Sequence, residues 1–598
     1  MEKKGSWLLL MSTSDPSRRA WGVKVKLAKS AGFCMGVRRA MEMTLSEANK
    51  GDGELFTYGP LIHNRQVLEL LRSKGVHVKE VIDEHDHGRI VIRAHGITPA
   101  EREKIRNSKF MIIDATCPRV AKVQGIIRHY SNKGYVPVIF GDARHPEVVG
   151  LMGYSNASGI VISSVEDVKT LSQGNRFVVV SQTTQNAEAY SEVSSAIRVR
   201  FPEALIFDTI CDETYKRQSE VQSLAREVDS MVIVGGYNSG NTIRLYQLAR
   251  STGKLAFHVE TEQELEEQWF SSGETVGVTA GASTPNWMIK KVINHLKIMG
   301  KTRQESLAGL FIKGTRFLVK INVPEAVGAF SLTYAGLILS RGSAALIYPV
   351  LALLYVYGMH VLNRFLDKEA SLYNDPGVAF FYAQHRGFLV ATALAGLGTG
   401  IILSLYLGLI AFFVFLALTL LGLVYSLPII PWKFGYLGRY AKIKDLPGSK
   451  TMAEALAWGT ISSLLPIIGR TSLEWPGVFV SFLLVSSMCY IRCGLLDILN
   501  IQGDLIVGRE TLPIALGEEK AVKLLIALNL LFGAIVLLAA ALKAVSSLGY
   551  LLLICFLNSF LYLAAYQRGW MHGGPRLQGF AEGNLLLAGL LALSWKVL

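Results

Sequence analysis

Beyond about residue 320 the chain carries nine apolar runs, near 322–340, 343–363, 387–405, 408–427, 451–469, 476–496, 521–541, 547–566 and 580–597. As helices, runs of this length match the hydrocarbon thickness of a bilayer, where every backbone polar group must be satisfied internally. They predict an all-α, nine-helix transmembrane unit. Before residue 320 the sequence is mixed and charged, so the 50% hydrophobic and 18% charged residues of the 598-residue chain average two unlike halves. The composition excludes disordered, collagen-like and disulfide-stapled secreted chains. Six cysteines with no CxxC in the charged half exclude a zinc ribbon or thioredoxin motif.

The net charge of +14 points to a lipid bilayer rather than to nucleic acid, because much of the basic excess lies in loops between apolar runs. The even-to-odd connections hold thirteen Lys and Arg, among them Arg364, Lys433, Arg439, Arg509 and Arg568; the opposite connections hold only Arg341, Arg470 and Lys543. The positive-inside rule then places the thirteen, and the charged half with them, in the cytoplasm of a bacterial-type inner membrane. Residues 1–23 contain only a four-residue apolar stretch, Trp7–Leu10, too short for a signal segment, and read as a disordered extension. The expected domains are 24–300, a linker at 301–320, and 321–598.

Short β-branched runs fill residues 24–290, among them VKVKLAK, IVIRAHG, FMIIDATC, FVVVSQTT, MVIVGG and TVGVTAG, with helical patterns between them. This is the alternation of buried parallel strands with helices. A threefold self-similarity runs through it. Cys117 and Cys211 each precede a strand-end glycine by 24 residues, and Cys34 does so by 25. Four residues beyond those glycines stand His63, His145 and Ser239, and a third strand in each unit ends near His95, Thr183 and Ser283. The expected fold is three α/β units about a pseudo-threefold axis. Strand C-termini are where such sheets bind ligands. Three thiols and a ring of polar groups would therefore converge.

A single free cysteine is usually a small core hydrophobe. Recurrence at one place in three units argues for ligation, either of a catalytic zinc or of an iron–sulfur cluster with one iron lacking a cysteine. His63, His95, His145, Thr183, Ser239, Asn241 and Ser283 suit a compact anion such as diphosphate. Glu147 is the one acid among them and the natural proton carrier.

The segments KSAGFCMGVRRA, YGPLIHN, RAHG, DATCP, RHPEVVG, SQTT, DTICDETYKRQ and VTAGAS resemble the LytB/IspH family of 4-hydroxy-3-methylbut-2-enyl diphosphate reductases, in order and over about residues 24–290. The resemblance implies a central [4Fe-4S] cluster on Cys34, Cys117 and Cys211, an allylic diphosphate substrate and an electron donor such as a ferredoxin or flavodoxin. It implies reductive loss of the allylic hydroxyl to give isopentenyl and dimethylallyl diphosphate. His63, His95, His145 and Thr183 fall on its substrate-binding positions and Glu147 on its proton donor. Ser239, Asn241 and Ser283 fall on diphosphate-binding positions. Gly240 stands where the family commonly has a second Ser, leaving a backbone N–H there. A redox or iron sensor would keep the cysteines without needing the polar ring.

In the apolar half, Asn363 and Asp367 follow the second run, and Asp497, Asn500 and Asp504 follow the sixth, at spacings that share a helix face. Facing carboxylates can hold Mg²⁺ against a diphosphate. These motifs, GRETLP and KDLPGSK resemble the UbiA superfamily of intramembrane prenyltransferases over about 320–598. That implies magnesium-dependent prenyl transfer. Arg364, Ser371 and Asn500 stand where the family has acids, so a catalytically silent anchor or lipid-binding scaffold is the alternative. Cys489, Cys493 and Cys555 read as apolar packing.

Overall fold

A computed structural model describes residues 23–299 except 52, 84 and 272, and residues 307–597 except 342–344, 428–445, 447, 469–474 and 572; residues 307–313 and 575 are described as backbone alone. The chain divides into two compact units, Met1–Glu305 and Ser306–Leu598. The expected extension, most of the basic loop with Lys433 and Arg439, and Arg470 lie outside the described residues.

The first unit holds twelve strands: β1 (Lys24–Leu27), β2 (Leu55–Tyr58), β3 (Val76–Lys79), β4 (His87–Ile92), β5 (Lys109–Asp114), β6 (Val136–Phe140), β7 (Ile160–Ile162), β8 (Phe177–Ser181), β9 (Leu205–Ile206), β10 (Ser230–Val234), β11 (Leu255–Val259) and β12 (Thr275–Ala280). They form three four-stranded sheets with one strand order, β3-β2-β4-β5, β7-β6-β8-β9 and β11-β10-β12-β1. Every pairing is parallel. Strands β8 and β10 are buried along their whole length, as parallel strands covered on both faces must be. The sequence runs named above all contain strands. The short edge strands β3 and β7 escape such a reading because three or four residues are too few to stand out, and His77 and Lys79 interrupt β3.

The sheets correct one part of the repeat. By sequence, each cysteine opens a unit with the residues that follow it. In the structure, the cysteine-bearing segment closes the preceding sheet instead. The N–H of Cys117 donates to Ala94 O at 2.9 Å, and that of Cys211 to Thr183 O at 3.0 Å. Cys34 reaches Ala282 O at 3.2 Å, because β1 pairs with β12 and so joins the two ends of the repeat. A crossover from a third strand lays the next strand beside it in the same sheet, as βαβ connections do.

Among its described residues the second unit has helices and no strand. Among the described residues, six helices are long and apolar enough to cross a membrane: Ile347–Leu366, Arg386–Leu407, Trp475–Leu499, Glu518–Ala541, Leu548–Gln567 and Arg576–Val597. Val323–Leu339 and Leu409–Val424 are apolar but shorter. The run expected at 451–469 is not one helix. It is the helix Ser449–Gly459, a π turn at Thr460–Leu464 and a 3₁₀ turn at Leu465–Ile467, where Pro466 cannot continue the α-helical ladder. The 301–320 segment is helical over Leu307–Lys320. Large apolar side chains such as Ile402, Ile410, Phe413 and Leu542 stand exposed on the outside, the pattern of a unit embedded in lipid. Two short helices, Lys368–Asn374 and Ile501–Val507, follow the second and sixth apolar segments and pack together.

Candidate active site

The three cysteines occupy one structural position. Each is the N-cap of a helix, Met35–Lys50, Pro118–Ser131 or Asp212–Arg226, with extended backbone, and first-turn backbone N–H groups face the Cys117 and Cys211 sulfurs. A helix N-terminus favours negative charge and hence thiolate. Burial holds the Cys117 and Cys211 thiols above the usual value, and neighbouring thiols add to this. Each thiol feels Cys34, and Cys117 also feels Cys211, which places the three together. A Cβ on Gly36 would stand 2.5 Å from Cys117 Sγ, so only glycine leaves room there for the sulfur and what it binds.

The backbone acceptors of the cysteines tie the thiols to the polar ring, for Ala94 precedes His95 and Ala282 precedes Ser283. His63, His95 and His145 touch one another, with ring centroids 4.8, 5.3 and 5.6 Å apart. Burial drives all three basicities down, that of His145 to about 4 and that of His95 well below the ordinary value, so the imidazoles are neutral near pH 7. His145 caps the helix Pro146–Met152, its Nδ1 accepting from Glu147 N at 3.1 Å. Glu147 is 1% exposed and accepts from Thr183 N at 2.7 Å and from Thr183 Oγ1 at 3.0 Å. Burial raises this carboxyl above the ordinary range against the pull of those two bonds. Ser239 caps Gly240–Ser251, and Ser283 Oγ bridges Ser239 Oγ at 3.2 Å and His63 O at 3.3 Å.

Four buried atoms of this ring lack any hydrogen-bond partner among the described residues: His63 Nε2, His95 Nδ1, Asn241 Nδ2 and Arg244 Nη1. Unsatisfied buried polar groups are costly and rare, so a convergent set calls for a polar ligand. Three thiols beside such donors fit a thiolate-held cluster facing an anion. Arg244 is the member that sequence reading missed. It lies one turn after Gly240, its Nε donates to Gln185 Oε1 at 3.0 Å, and its Nη1 lies 3.1 Å from where a Gly240 side chain would begin. Where a serine is usual, the open backbone leaves room for a guanidinium. The arginine one turn beyond NSGN was the available signal.

The second unit also gathers its predicted polar residues, but pairs them. Arg509 Nη2 donates to Asp367 Oδ1 at 2.7 Å and its Nη1 lies 4.0 Å from Asp504. Asp497 accepts from Thr451 Oγ1 at 2.5 Å and from Lys450 Nζ at 3.2 Å. Asp504 accepts from Asn374 at 3.3 Å, while its Oδ2 is buried with no hydrogen-bond partner among the described residues. Asn363 is turned to Ser426, and Asn500 caps Ile501–Val507 without a side-chain bond. Arg364 points away, to Asn322 and the Tyr382 ring. Lys450 and Arg509 were not among the predicted site residues; the GRETLP and KDLPGSK segments carry them.

A family profile described as LytB protein matches residues 25–297. The 4-hydroxy-3-methylbut-2-enyl diphosphate reductase of Geobacter sulfurreducens is 43% identical over 275 residues, 46% of this chain and 97% of that one. The enzyme of the same name from Aquifex aeolicus is 39% identical over 278 residues, 46% of this chain and 96% of its own. Among solved structures, an (E)-4-hydroxy-3-methyl-but-2-enyl diphosphate reductase is 39% identical at a TM-score of 0.38, covering 46% of this chain and 99% of that one. A UbiA homolog from Aeropyrum pernix K1 is 15% identical at a TM-score of 0.37, over 46% and 99%. Identity of this depth across nearly the whole length of the reductases means that the chain, through residues 25–297, belongs to the LytB family.

Proposed function

We propose that the first unit reduces 4-hydroxy-3-methylbut-2-enyl diphosphate to isopentenyl and dimethylallyl diphosphate, with the second unit holding it at the cytoplasmic face of a membrane. The observation that carries this reading is the ring of buried, unpartnered N–H donors beside three equivalent thiols. Cys34, Cys117 and Cys211 would hold a [4Fe-4S] cluster, whose chemistry when bound is delivery of the two electrons that dehydroxylation needs. Ser239, Asn241, Ser283, the Gly240 N–H and Arg244 bind the diphosphate. Neutral His63, His95 and His145 donate N–H groups without adding positive charge, and close the site to water. Glu147, whose proton affinity burial raises, is the donor of the proton that leaves with the hydroxyl, through Thr183, whose hydroxyl it already binds. A small electron carrier of the ferredoxin or flavodoxin class supplies the electrons.

Glu147→Gln tests the assignment. The iron content and electron paramagnetic signal of the anaerobic chain are expected to stay, and turnover to fall by about 10²-fold or more, the usual scale of a general acid. Turnover equal to wild type would refute the proton role.

For the second unit we infer a prenyltransferase-like site at Asp367, Asp497 and Asp504, supported by the buried unpartnered oxygen of Asp504. Three carboxylates face two cations, so the site retains one net negative charge. It suits Mg²⁺ that arrives with a diphosphate, with Lys450 and Arg509 meeting the phosphates. A magnesium-supplied assay with prenyl diphosphates and a range of aromatic and lipid acceptors should show transfer that Asp504→Asn abolishes. No transfer by the wild-type chain would leave the unit a membrane anchor.

A further inference from the structure

One helical turn inward from these carboxylates the second unit buries a second polar cluster. Arg492, 2% exposed, is its hub. The guanidinium meets Glu325 at 2.5 Å and Glu582 at 2.7 Å, and lies 3.6 Å from Glu454. His360 bridges Glu325 at 2.7 Å and Glu454 at 3.2 Å. These residues come from five helical segments, and ionisable groups in such a setting mark function more often than stability. Cys489 and Cys493 complete the cluster. Their sulfurs are 3.8 Å apart, and Arg492 Nη1 lies 3.6 Å from Cys493 Sγ. Both thiols pack in the apolar core as expected, and both also border the Glu454 carboxylate, with the guanidinium against Cys493.

Distance singles out one corner. Glu325 and Glu582 hold the short contacts. Glu454 holds only the longer ones. That carboxylate and the two sulfurs lie within 4.8 Å of one another. A tetrahedral ion with metal–sulfur bonds of about 2.3 Å separates two sulfurs by about 3.8 Å, the spacing seen between Cys489 and Cys493.

We propose that Glu454, Cys489 and Cys493 form a binding site for a divalent metal ion of the zinc class, with its fourth position open. Two thiolates and one carboxylate select a soft or borderline ion over magnesium. Entry of the ion releases two thiol protons, so the net charge of the cluster does not change. His360, against Glu454, fixes the orientation of the carboxylate as outer partners of metal ligands do. The site is separate from the thiols of the first unit and from the magnesium reading of the outer carboxylates.

Cobalt(II) is the probe, added to the full-length, cluster-loaded chain in detergent under anaerobic conditions. One equivalent should survive desalting with no loss of iron, and should show thiolate-to-cobalt absorption and the visible bands of tetrahedral cobalt. Zinc should displace it. Cys489→Ala/Cys493→Ala and Glu454→Gln should each lose that equivalent while reductase turnover stays at wild-type level. If the double variant fails to fold, Cys493→Ser, which keeps size and polarity, should weaken retention at least about tenfold, one such factor being about 1.4 kcal/mol. No retained cobalt in the wild type, or equal retention and an unchanged spectrum in the variants, overturns the proposal.

Discussion

Arg244 shows how much a single side chain adds to the reductase site. It is buried beside Glu147 and Asp142, and its guanidinium is the positive group that the serine, asparagine and histidine donors lack. Removing a charge-assisted hydrogen bond costs about 1.5–3 kcal/mol. Arg244→Leu is therefore expected to raise KM for the diphosphate substrate about 10- to 100-fold, with iron content unchanged and Arg244→Lys recovering part of the loss. An unaltered KM in steady-state kinetics would remove Arg244 from the diphosphate site. Gly36 acts at the same scale by what it omits, since a methyl group there would occupy the space of the Cys117 sulfur.

At the scale of elements, five strand-to-helix junctions carry the chemistry. In each, a parallel strand ends, the chain turns, and a capping residue opens the helix that follows. Cys34, Cys117 and Cys211 do this at one set of helices, and His145 and Ser239 at another. The packed junctions leave His63, His95 and His145 neutral, with a pH consequence. Their folded basicities are depressed, so the stability they permit is fully present above the ordinary histidine value of about 6.5 and is lost as pH falls through that value towards about 4 for His145. The anaerobic full-length chain should lose about 1 kcal/mol per pH unit for each such group below pH 6. His95→Gln should flatten the dependence. A first unfolding transition that stays level between pH 7 and pH 5 would contradict it.

At the scale of the whole chain, the two units pose a question of sidedness. Nine membrane passes, with thirteen basic residues on one set of connections against three on the other, would place the first unit in the cytoplasm and the C-terminus across the membrane. The interrupted helix at Ser449–Ile467 bears on the count, because a segment broken by a π turn and a proline crosses only if neighbours satisfy its freed carbonyls. A reporter fused after Leu598 should be active only on the far side. Activity in the cytoplasm would mean an even number of crossings, with the 451–469 segment the first candidate to be re-entrant.

What the sequence determined alone is what local chemistry dictates. Strand ends, capping cysteines and apolar runs depend on residues a few positions apart, so the three thiols, Glu147, the histidines and the membrane half were legible in it. Partnership across the chain was not. Only the packed structure decided that each cysteine segment closes the preceding sheet and that β1 completes the last one, because parallel pairing joins strands through long crossovers. It decided that Arg244 turns into the space left by Gly240. It also decided that Asp367 and Asp497 meet Arg509 and Lys450, and that Arg492 gathers Glu325, Glu582 and Glu454. A charge in an apolar helix must find its counter-charge on another helix, and no local pattern names which one.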